Sequence, residues 1–239
     1  MSNNTSQDDV VTSYRDAPTR TVSAGGVDFA YRELGPQTGV PVVFITHLAA
    51  VLDNWDPRVV DGIAAKHPVI AFDNRGVGAS SGSTPTTIEE MARDAVTFIR
   101  ALGFDRVDLF GFSMGGMIAQ VIAQQEPQLV RRMILAGTGP AGGEGIEKVT
   151  RISYLDTARA LLTRHDPKQF LFFTRTSNGR RAGKEFLTRL EERTDDRDKA
   201  ISILDRRLPN SQLVLYPDAG HGGVFQFHQD FVKRALEFL

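Results

Sequence analysis

One serine of the chain lies in a setting that favours nucleophilic chemistry. Residues 111–115 read Gly-Phe-Ser-Met-Gly, after an apolar run at residues 107–110 and before a run with helical spacing at residues 117–125. A sharp turn between a buried strand and a helix strains the backbone of a serine and lifts its hydroxyl clear of the sheet. Side chains at the two flanking glycines would collide with the strand and helix beneath. We therefore predict that Ser113 is a nucleophile.

A serine hydroxyl needs an adjacent base at neutral pH, and five histidines are available. His221 lies in a glycine-rich loop, residues 218–223, directly after the last predicted strand at residues 212–216. Active sites of open parallel sheets form outside the carboxyl ends of the strands, where Ser113 is also expected. His221 is therefore the predicted general base. His228 is the nearby alternative, although it is expected to begin the final helix.

An oxyanion that forms on attack needs two backbone N–H donors. Met114, directly after the serine, should supply one of them. The other should come from residues 47–50, His-Leu-Ala-Ala, which follow an apolar run at residues 42–46. His47 is expected to brace this loop, because it lies on the oxyanion side of the serine. The two remaining histidines, His67 and His165, are expected at the surface.

Alternating strand and helix patterns predict the sheet that positions these residues. Strands are predicted at residues 21–23, 27–34, 40–46, 69–72, 107–110 and 133–136, the first two as an antiparallel hairpin. Residues 87–102 have helical spacing, with Thr87 as N-cap, Glu90 completing a capping box and Gly103 ending the helix. This alternation predicts an α/β fold, a mostly parallel sheet with helices on both faces.

The chain divides into three kinds of segment. Residues 1–18 are polar and predicted to be a disordered tail. Residues 19–145 and 203–239 carry the strand and helix pattern of the core. Residues 146–202 have many charges, helical periodicity and no convincing strand, which predicts a helical cap over the carboxyl edge of the sheet.

Composition excludes several classes of function. The 239 residues are 41% hydrophobic with a formal net charge of −1, so no excess of positive charge is present to neutralise nucleic-acid phosphates. The absence of cysteine excludes disulfides, thiolate catalysis and cysteine-based zinc sites. No apolar run is long enough to span a membrane and no signal peptide is recognisable. We expect a cytoplasmic protein that acts on a small-molecule substrate without cofactor or metal, and oligomerisation stays open.

Four ordered motifs carry a resemblance to a known family: residues 47–50, the run Asp-x-Arg-Gly-x-Gly-x-Ser at residues 73–80, the turn at residues 111–115, and Gly220-His221. With them the chain resembles the α/β-hydrolase superfamily, most closely its cofactor-free haloperoxidase, esterase and enol-lactonase branch. The resemblance covers about residues 20–145 and 204–239. It implies that the second oxyanion donor is the amide of Ala49. Leu48, which stands where the pattern has glycine, is the alternative.

Within the second of these motifs, Asp73, Arg75 and Ser80 are expected to be structural and to tie the loop beside the serine turn. Independently of the resemblance, Trp55, Phe225 and Phe227 are candidates for lining the pocket, although single aromatic residues more often belong to a core.

The catalytic acid of such enzymes is the part of the pattern that is missing. The resemblance implies an Asp or Glu after a strand between the cap and the last strand, but residues 194–205 contain no such strand. The sequence therefore predicts that a strand and its acid are deleted, which would shift the last strand or leave an unpaired edge. Glu144 is the candidate substitute, with a solvated loop glutamate as the alternative. Asp218 is too near His221 along the chain to orient it.

Two functions compete on these residues. The first is a serine hydrolase of small carboxylic esters or lactones, in which Ser113 attacks and His221 moves the proton. The second is an impaired or non-catalytic member whose pocket binds a ligand or a partner. Cofactor-free perhydrolysis would use the same residues as the esterase reaction.

Overall fold

The computed structural model describes residues 13–48, 50–139, 159–160, 162–163, 165–192, 216, 218 and 220–239. Its sheet has six strands in the order β1-β2-β4-β3-β5-β6. These are β1 (Arg20–Ala24), β2 (Val27–Leu34), β3 (Val42–Ile45), β4 (Val69–Phe72), β5 (Val107–Phe112) and β6 (Val130–Ala136). Strands β4, β3, β5 and β6 run parallel, whereas β1 and β2 pair antiparallel and β2 joins β4 antiparallel. The predicted hairpin and the mostly parallel sheet are both confirmed.

Seven α-helices have described bounds: α1 (Pro57–Ala64), α2 (Ile88–Ala101), α3 (Met114–Gln125), α4 (Pro167–Phe172), α5 (Ser177–Leu190), α6 (Gly223–Gln226) and α7 (His228–Phe238). Helices α1 and α7 cover one face of the sheet, and α2 and α3 cover the other. Alternate residues of β3 show the division, because Phe44 packs with the first face and Val43 with the second. Helices therefore lie on both faces, as the sequence predicts.

Helix α2 begins and ends as predicted, with one shift in its cap. The Thr87 side chain accepts a hydrogen bond from the Glu90 N–H (3.2 Å). The Glu90 carboxylate accepts from the Thr86 N–H (3.3 Å), one residue before the N-cap, so the predicted reciprocal box is not closed on Thr87. Gly103 follows the helix with φ +84°, a left-handed conformation that glycine adopts without strain.

Helices α4 and α5 pack against the core beside the carboxyl ends of the strands. The Phe186 ring of α5 stacks on Phe225 of α6 at a centroid distance of 4.7 Å. Near the other end of α5, Arg189 forms a bidentate ion pair with Asp56, the N-cap residue of α1 (2.9 and 2.6 Å). Both side chains of this pair are buried, so α5 is joined to the core at two places.

The N-terminal segment corrects the predicted length of the disordered tail. Tyr14 is buried, its hydroxyl donates to the Leu52 carbonyl (2.8 Å) and its N–H donates to the Asp61 carboxylate (2.6 Å). The tail predicted for residues 1–18 therefore extends too far, because one aromatic ring among polar residues supplies enough apolar surface to dock. Residues 1–12 lie outside the described part of the chain.

Two predictions at the sheet edge fall outside the described residues. These are the last strand at residues 212–216, of which only Tyr216 is described, and the missing acid-bearing strand around residues 194–205. Within the described sheet, β6 is the edge strand at the end opposite β1. Of the helices that the structure describes, none has the length and apolar character needed to cross a bilayer.

Candidate active site

Ser113 occupies the turn between β5 and α3 in a strained conformation. Its φ of 54° and ψ of −115° lie in a region that non-glycine residues rarely adopt. The Ser113 N–H donates to the carbonyl of Ala136, the last residue of β6 (2.8 Å). Such strain costs about 1–3 kcal/mol and persists only where the surrounding structure holds it. The strand, turn and helix therefore have the arrangement that the sequence predicts.

Two glycines let the turn pack this tightly. A Cβ atom on Gly111 would lie 2.5 Å from the Gly115 carbonyl oxygen. A Cβ atom on Gly115 would lie 1.9 Å from the carbonyl oxygen of Ile45 in β3. Both distances are shorter than any tolerated contact, so the predicted collisions with helix and strand are confirmed.

His221 lies in the turn before α6, at the carboxyl end of β6. Its ring centroid is 5.2 Å from that of Phe112, the residue that precedes Ser113. Its carbonyl oxygen lies 2.9 Å from the point that a Cβ atom on Gly137 would occupy, and Gly137 has φ +55°. His221 therefore lies against Gly137, and the neighbouring Ala136 accepts the hydrogen bond from the Ser113 N–H.

The electrostatic setting of His221 contains no carboxylate among the described residues. Although the residue is exposed, the protein atoms around its ring lower its pKa below 6.5 by desolvation, and no charged partner contributes. A carboxylate within about 4–6 Å would instead favour the charged imidazole and raise the pKa. Asp218 accepts hydrogen bonds from Thr174 and Thr176 and does not pair with His221, as expected from its closeness along the chain.

His47 braces its own loop. Its Nδ1 donates to the Leu48 carbonyl (2.7 Å), and its ring lies edge-on between Phe112 and Phe172, with centroids 5.4 and 5.0 Å away. Burial lowers the pKa of His47 to about 3, so the imidazole is neutral at physiological pH. Its buried Nε2 has no hydrogen-bond partner among the described residues. This geometry agrees with a bracing role.

The run at residues 73–80 holds two loops together. The Asp73 carboxylate accepts from the Leu52 N–H (2.8 Å) and the Ala79 N–H (3.1 Å). The Ser80 hydroxyl donates to the Asp73 carbonyl (2.7 Å), and Arg75 forms an ion pair with a carboxylate of α2. Burial raises the pKa of Asp73 to about 7. The contacts are those of a structural tie between the loops after β3 and β4.

The proposed oxyanion donors are described only in part. Met114 is the first residue of α3, where N–H groups have no acceptor within the helix. Leu48, on the loop after β3, is 38% exposed, which leaves an apolar side chain at the surface of this loop. Ala49 and Glu144 lie outside the described residues.

The other candidate histidines and aromatic residues lie at helix ends, at the surface or in the core. His228 begins α7 and His165 is exposed, as predicted, whereas His67 is half-buried. Trp55 and Phe225 are buried in the core, and Phe227 stacks on Tyr216 with centroids 5.1 Å apart. A cavity of about 10 Å³, to whose lining Ser113 does not belong, is lined by Tyr14, Arg15, Asp53, Trp55, Pro57, Arg189 and Leu190. Its size allows about one water molecule.

Two features of the site were not predicted from the sequence. Gly137 permits the close approach of His221, and the signal for it was available, since a glycine directly follows the apolar run of β6. The contacts of Asp218 with Thr174 and Thr176 had no signal, because 42 to 44 residues separate the partners.

The chain is similar in sequence to several known proteins. The family model of the alpha/beta hydrolase fold matches residues 40–168. A Mycobacterium tuberculosis protein that carries the name of a non-heme bromoperoxidase is 35% identical over 113 residues, 47% of this chain and 42% of the relative. 3-Oxoadipate enol-lactonase 2 of Acinetobacter baylyi is 29% identical over 125 residues, 52% of this chain and 46% of the enzyme. The matched region therefore spans less than half the length of either curated relative.

A solved structure covers more of the chain. The alpha/beta hydrolase fold protein from Chitinophaga pinensis superposes with a TM-score of 0.82 at 32% identity, over 94% of this chain and 98% of that chain. The similarity includes the helical segment after β6 as well as the sheet, since so little of either chain is left out.

Proposed function

The chain belongs to the alpha/beta hydrolase fold family, and from that premise we propose that it is a serine hydrolase of small carboxylic esters or lactones. Residues 19–145 and 203–239 form the catalytic core in this proposal, and residues 146–202 form a helical cap. The names of the relatives support a hydrolase that acts on small molecules, since one is an enol-lactonase.

The proposed reaction follows from the residues at the carboxyl ends of β5 and β6. The Ser113 hydroxyl attacks the substrate carbonyl carbon while His221 accepts its proton. The N–H groups of Met114 and Ala49 hold the negative charge that develops on the carbonyl oxygen. The ester C–O bond then breaks, His221 gives the proton to the departing oxygen, and Ser113 is left acylated. In the second half of the reaction His221 takes a proton from a water molecule that attacks the acyl carbonyl, and returns it to the Ser113 oxygen as the acid is released.

One observation carries this proposal: the strained backbone of Ser113 is maintained by specific contacts. The φ of 54° is held by the hydrogen bond to Ala136 and by the two glycines whose Cβ atoms would collide with the turn. Strained residues that the surrounding fold over-determines cluster at functional sites. A serine placed only for packing would not need this conformation.

The test is the variant Ser113→Ala, assayed with p-nitrophenyl acetate and with a fluorophosphonate label. We expect hydrolysis and labelling to disappear while circular dichroism and thermal unfolding stay as in the wild type. Ser23→Ala, an exposed serine of the β1–β2 hairpin, is the matched control and should keep both. Turnover that survives Ser113→Ala at the wild-type rate would refute the assignment.

A second candidate function rests on the surroundings of His221. Among the described residues no carboxylate contacts its ring, and loss of the acid costs about 10⁴ in kcat in a serine protease triad. A protein with this site can therefore bind a carbonyl ligand and turn it over poorly. Stoichiometric labelling of Ser113 together with negligible ester turnover would favour this candidate over the hydrolase.

A further inference from the structure

The loop that carries His221 is attached to the cap segment through the Asp218 side chain. One carboxylate oxygen of Asp218 accepts from the Thr174 hydroxyl (3.0 Å), and the other accepts from the Thr176 hydroxyl (3.0 Å). The side-chain amide of Asn178 lies at 3.5 Å from the second oxygen. These donors belong to the turn between α4 and α5 and to the first residues of α5. A single carboxylate thus collects three donors from a segment far away in sequence.

The backbone of Asp218 is also constrained. Its φ of 59° is a left-handed conformation that aspartate tolerates better than most residues but still adopts at a cost. The Asp218 carbonyl accepts from the side-chain amide of Gln226 (2.8 Å), which follows the loop at the end of α6. The residue is therefore held from the side of α4 and α5 and from the side of α6.

A second attachment lies on the other side of His221. The Gly222 N–H donates to the carbonyl of Phe172, the last residue of α4 (2.7 Å). A Cβ atom on Gly220 would lie 2.5 Å from that same oxygen, so the loop lies directly against the end of α4. His221 is placed between these two attachments, and both reach the same helical segment.

The segment that receives these bonds is itself fixed to the core. Arg189 at the far end of α5 is paired with Asp56, and Phe186 stacks on Phe225. Helix α5 therefore links two parts of the protein. Its C-terminal end is joined to α1, and its N-terminal end contacts the loop that carries His221. A shift of α5 is therefore expected to shift His221 as well.

We propose that Asp218 is a positioning residue, which sets the place of the His221 imidazole by fastening its loop to Thr174 and Thr176. The inference rests on the proposed function, in which His221 is the base. In this inference the base is held in place by hydrogen bonds that fix its loop. The carboxylate of a catalytic triad would instead accept a hydrogen bond from the imidazole itself. The hydrogen bonds are solvent-exposed, so each contributes modestly to folding free energy, while a displacement of about 1 Å at a catalytic group can cost about 10²-fold in rate.

The experiment compares both partners of the anchor. Asp218→Gly removes the carboxylate and accepts the positive φ, and Thr174→Val removes one donor at nearly constant shape. We expect each to lower kcat for p-nitrophenyl acetate about tenfold or more, with KM within about twofold of the wild type. Asp218→Asn, which keeps one acceptor oxygen, should recover part of the rate. Glu185→Gln, an exposed change on α5, is the matched control and should change nothing.

Coupling between the two sites separates an anchor from general damage. The double variant Asp218→Gly/Thr174→Val should be no slower than Asp218→Gly alone, because the contact between the two residues can be lost only once. Additive losses, or a kcat within about twofold of the wild type in both single variants, would overturn the inference. If Asp218→Gly fails to fold, Thr174→Val decides the question by the same criterion.

A readout without turnover distinguishes this inference from the proposed function. The ring resonances of His221, followed by NMR in the wild type and in Thr174→Val, should shift and broaden when the anchor is weakened. A wild type that is neither labelled nor active would refute the hydrolase, while such a change of the His221 signals would still support the anchor. Unchanged ring signals in Thr174→Val would refute the anchor whatever the activity.

Discussion

His221 has a setting that predicts an unusual pH dependence for a serine hydrolase. Desolvation lowers its pKa below 6.5, and no described carboxylate opposes this shift. In the proposed mechanism the neutral imidazole accepts the serine proton, so we expect activity to be lost as the pH falls through the pKa of His221 in the folded protein. We expect the acidic limb of kcat/KM for p-nitrophenyl acetate to have its midpoint below about 6.5. His228→Gln should keep this limb.

A midpoint near 7 or above would show that a carboxylate stabilises the charged imidazole. Glu144 would then be the first residue to replace, and Glu144→Gln should lower the midpoint and the rate together. An unaltered profile in that variant would exclude Glu144 as the substitute acid.

The lowered pKa of the buried His47 predicts that the folded protein loses stability in acid. Its pKa is about 3 when folded and about 6.5 when unfolded, so between these values the unfolded chain binds more protons. The free energy of unfolding should therefore decrease as pH falls through this window, by at most about 1.4 kcal/mol per pH unit. Urea unfolding of the wild type and of His47→Gln between pH 4 and 7 checks the difference in slope.

The comparison with a variant is needed because Asp73 acts in the opposite direction. Its pKa, raised to about 7, makes the folded state bind more protons above the ordinary aspartate value, so its contribution to stability is lost as pH rises. The two slopes oppose each other in the wild type. Equal slopes in the wild type and in His47→Gln would contradict the assignment of a buried neutral His47.

In the turn between β5 and α3, the requirement for glycine is strictest at Gly115. A Cβ atom on Gly115 would lie 1.9 Å from a carbonyl oxygen of β3, which is backbone and cannot rotate away. Gly115→Ala should therefore misfold or lose several kcal/mol of stability together with all fluorophosphonate labelling. Gly103→Ala is the control, because its Cβ meets nothing within 4 Å and only its φ of +84° is penalised, by about 1–2 kcal/mol. Similar unfolding midpoints for the two variants would contradict the close approach.

The elements could be predicted from sequence where the signal was local. Strands β3 and β4 are continuous apolar runs, and α2 has both its cap and its terminating glycine within the sequence window that forms it. The sequence predicts the start of α3 three residues late, since Met114 reads as part of the turn but already has helical geometry. The anchor at Asp218 could not be predicted, because it joins residues that only the packing of α5 brings together.

At the scale of the whole molecule, a buried ion pair joins α5 to the N-terminal end of α1. The Arg189 and Asp56 side chains are 5% and 0% exposed, and removal of one partner leaves a buried charge unpaired. Arg189→Met should cost about 3–5 kcal/mol of unfolding free energy, measured by chemical denaturation. Arg181→Met, which breaks an exposed pair on the same helix, should cost about 0.5 kcal/mol or less.

A double variant tests whether unpaired charge is the cause of this loss. Arg189→Met/Asp56→Asn removes both charges and keeps an oxygen that can cap α1, so it should be more stable than Arg189→Met alone. A double variant less stable than either single change would mean that packing of the long side chains, and not the charge, holds the helix in place.

The docked Tyr14 gives the molecule a weak point towards proteolysis. Its hydroxyl is bonded to the Leu52 carbonyl, and the N–H of the same Leu52 is bonded to Asp73 beside the loop that follows β3. Trypsin cleavage after the exposed Arg15 would separate Tyr14 from the rest of the chain. A protein clipped there would lose a buried aromatic ring and its hydrogen bonds to Leu52 and Asp61, so we expect its unfolding midpoint to fall while the secondary structure of the sheet persists.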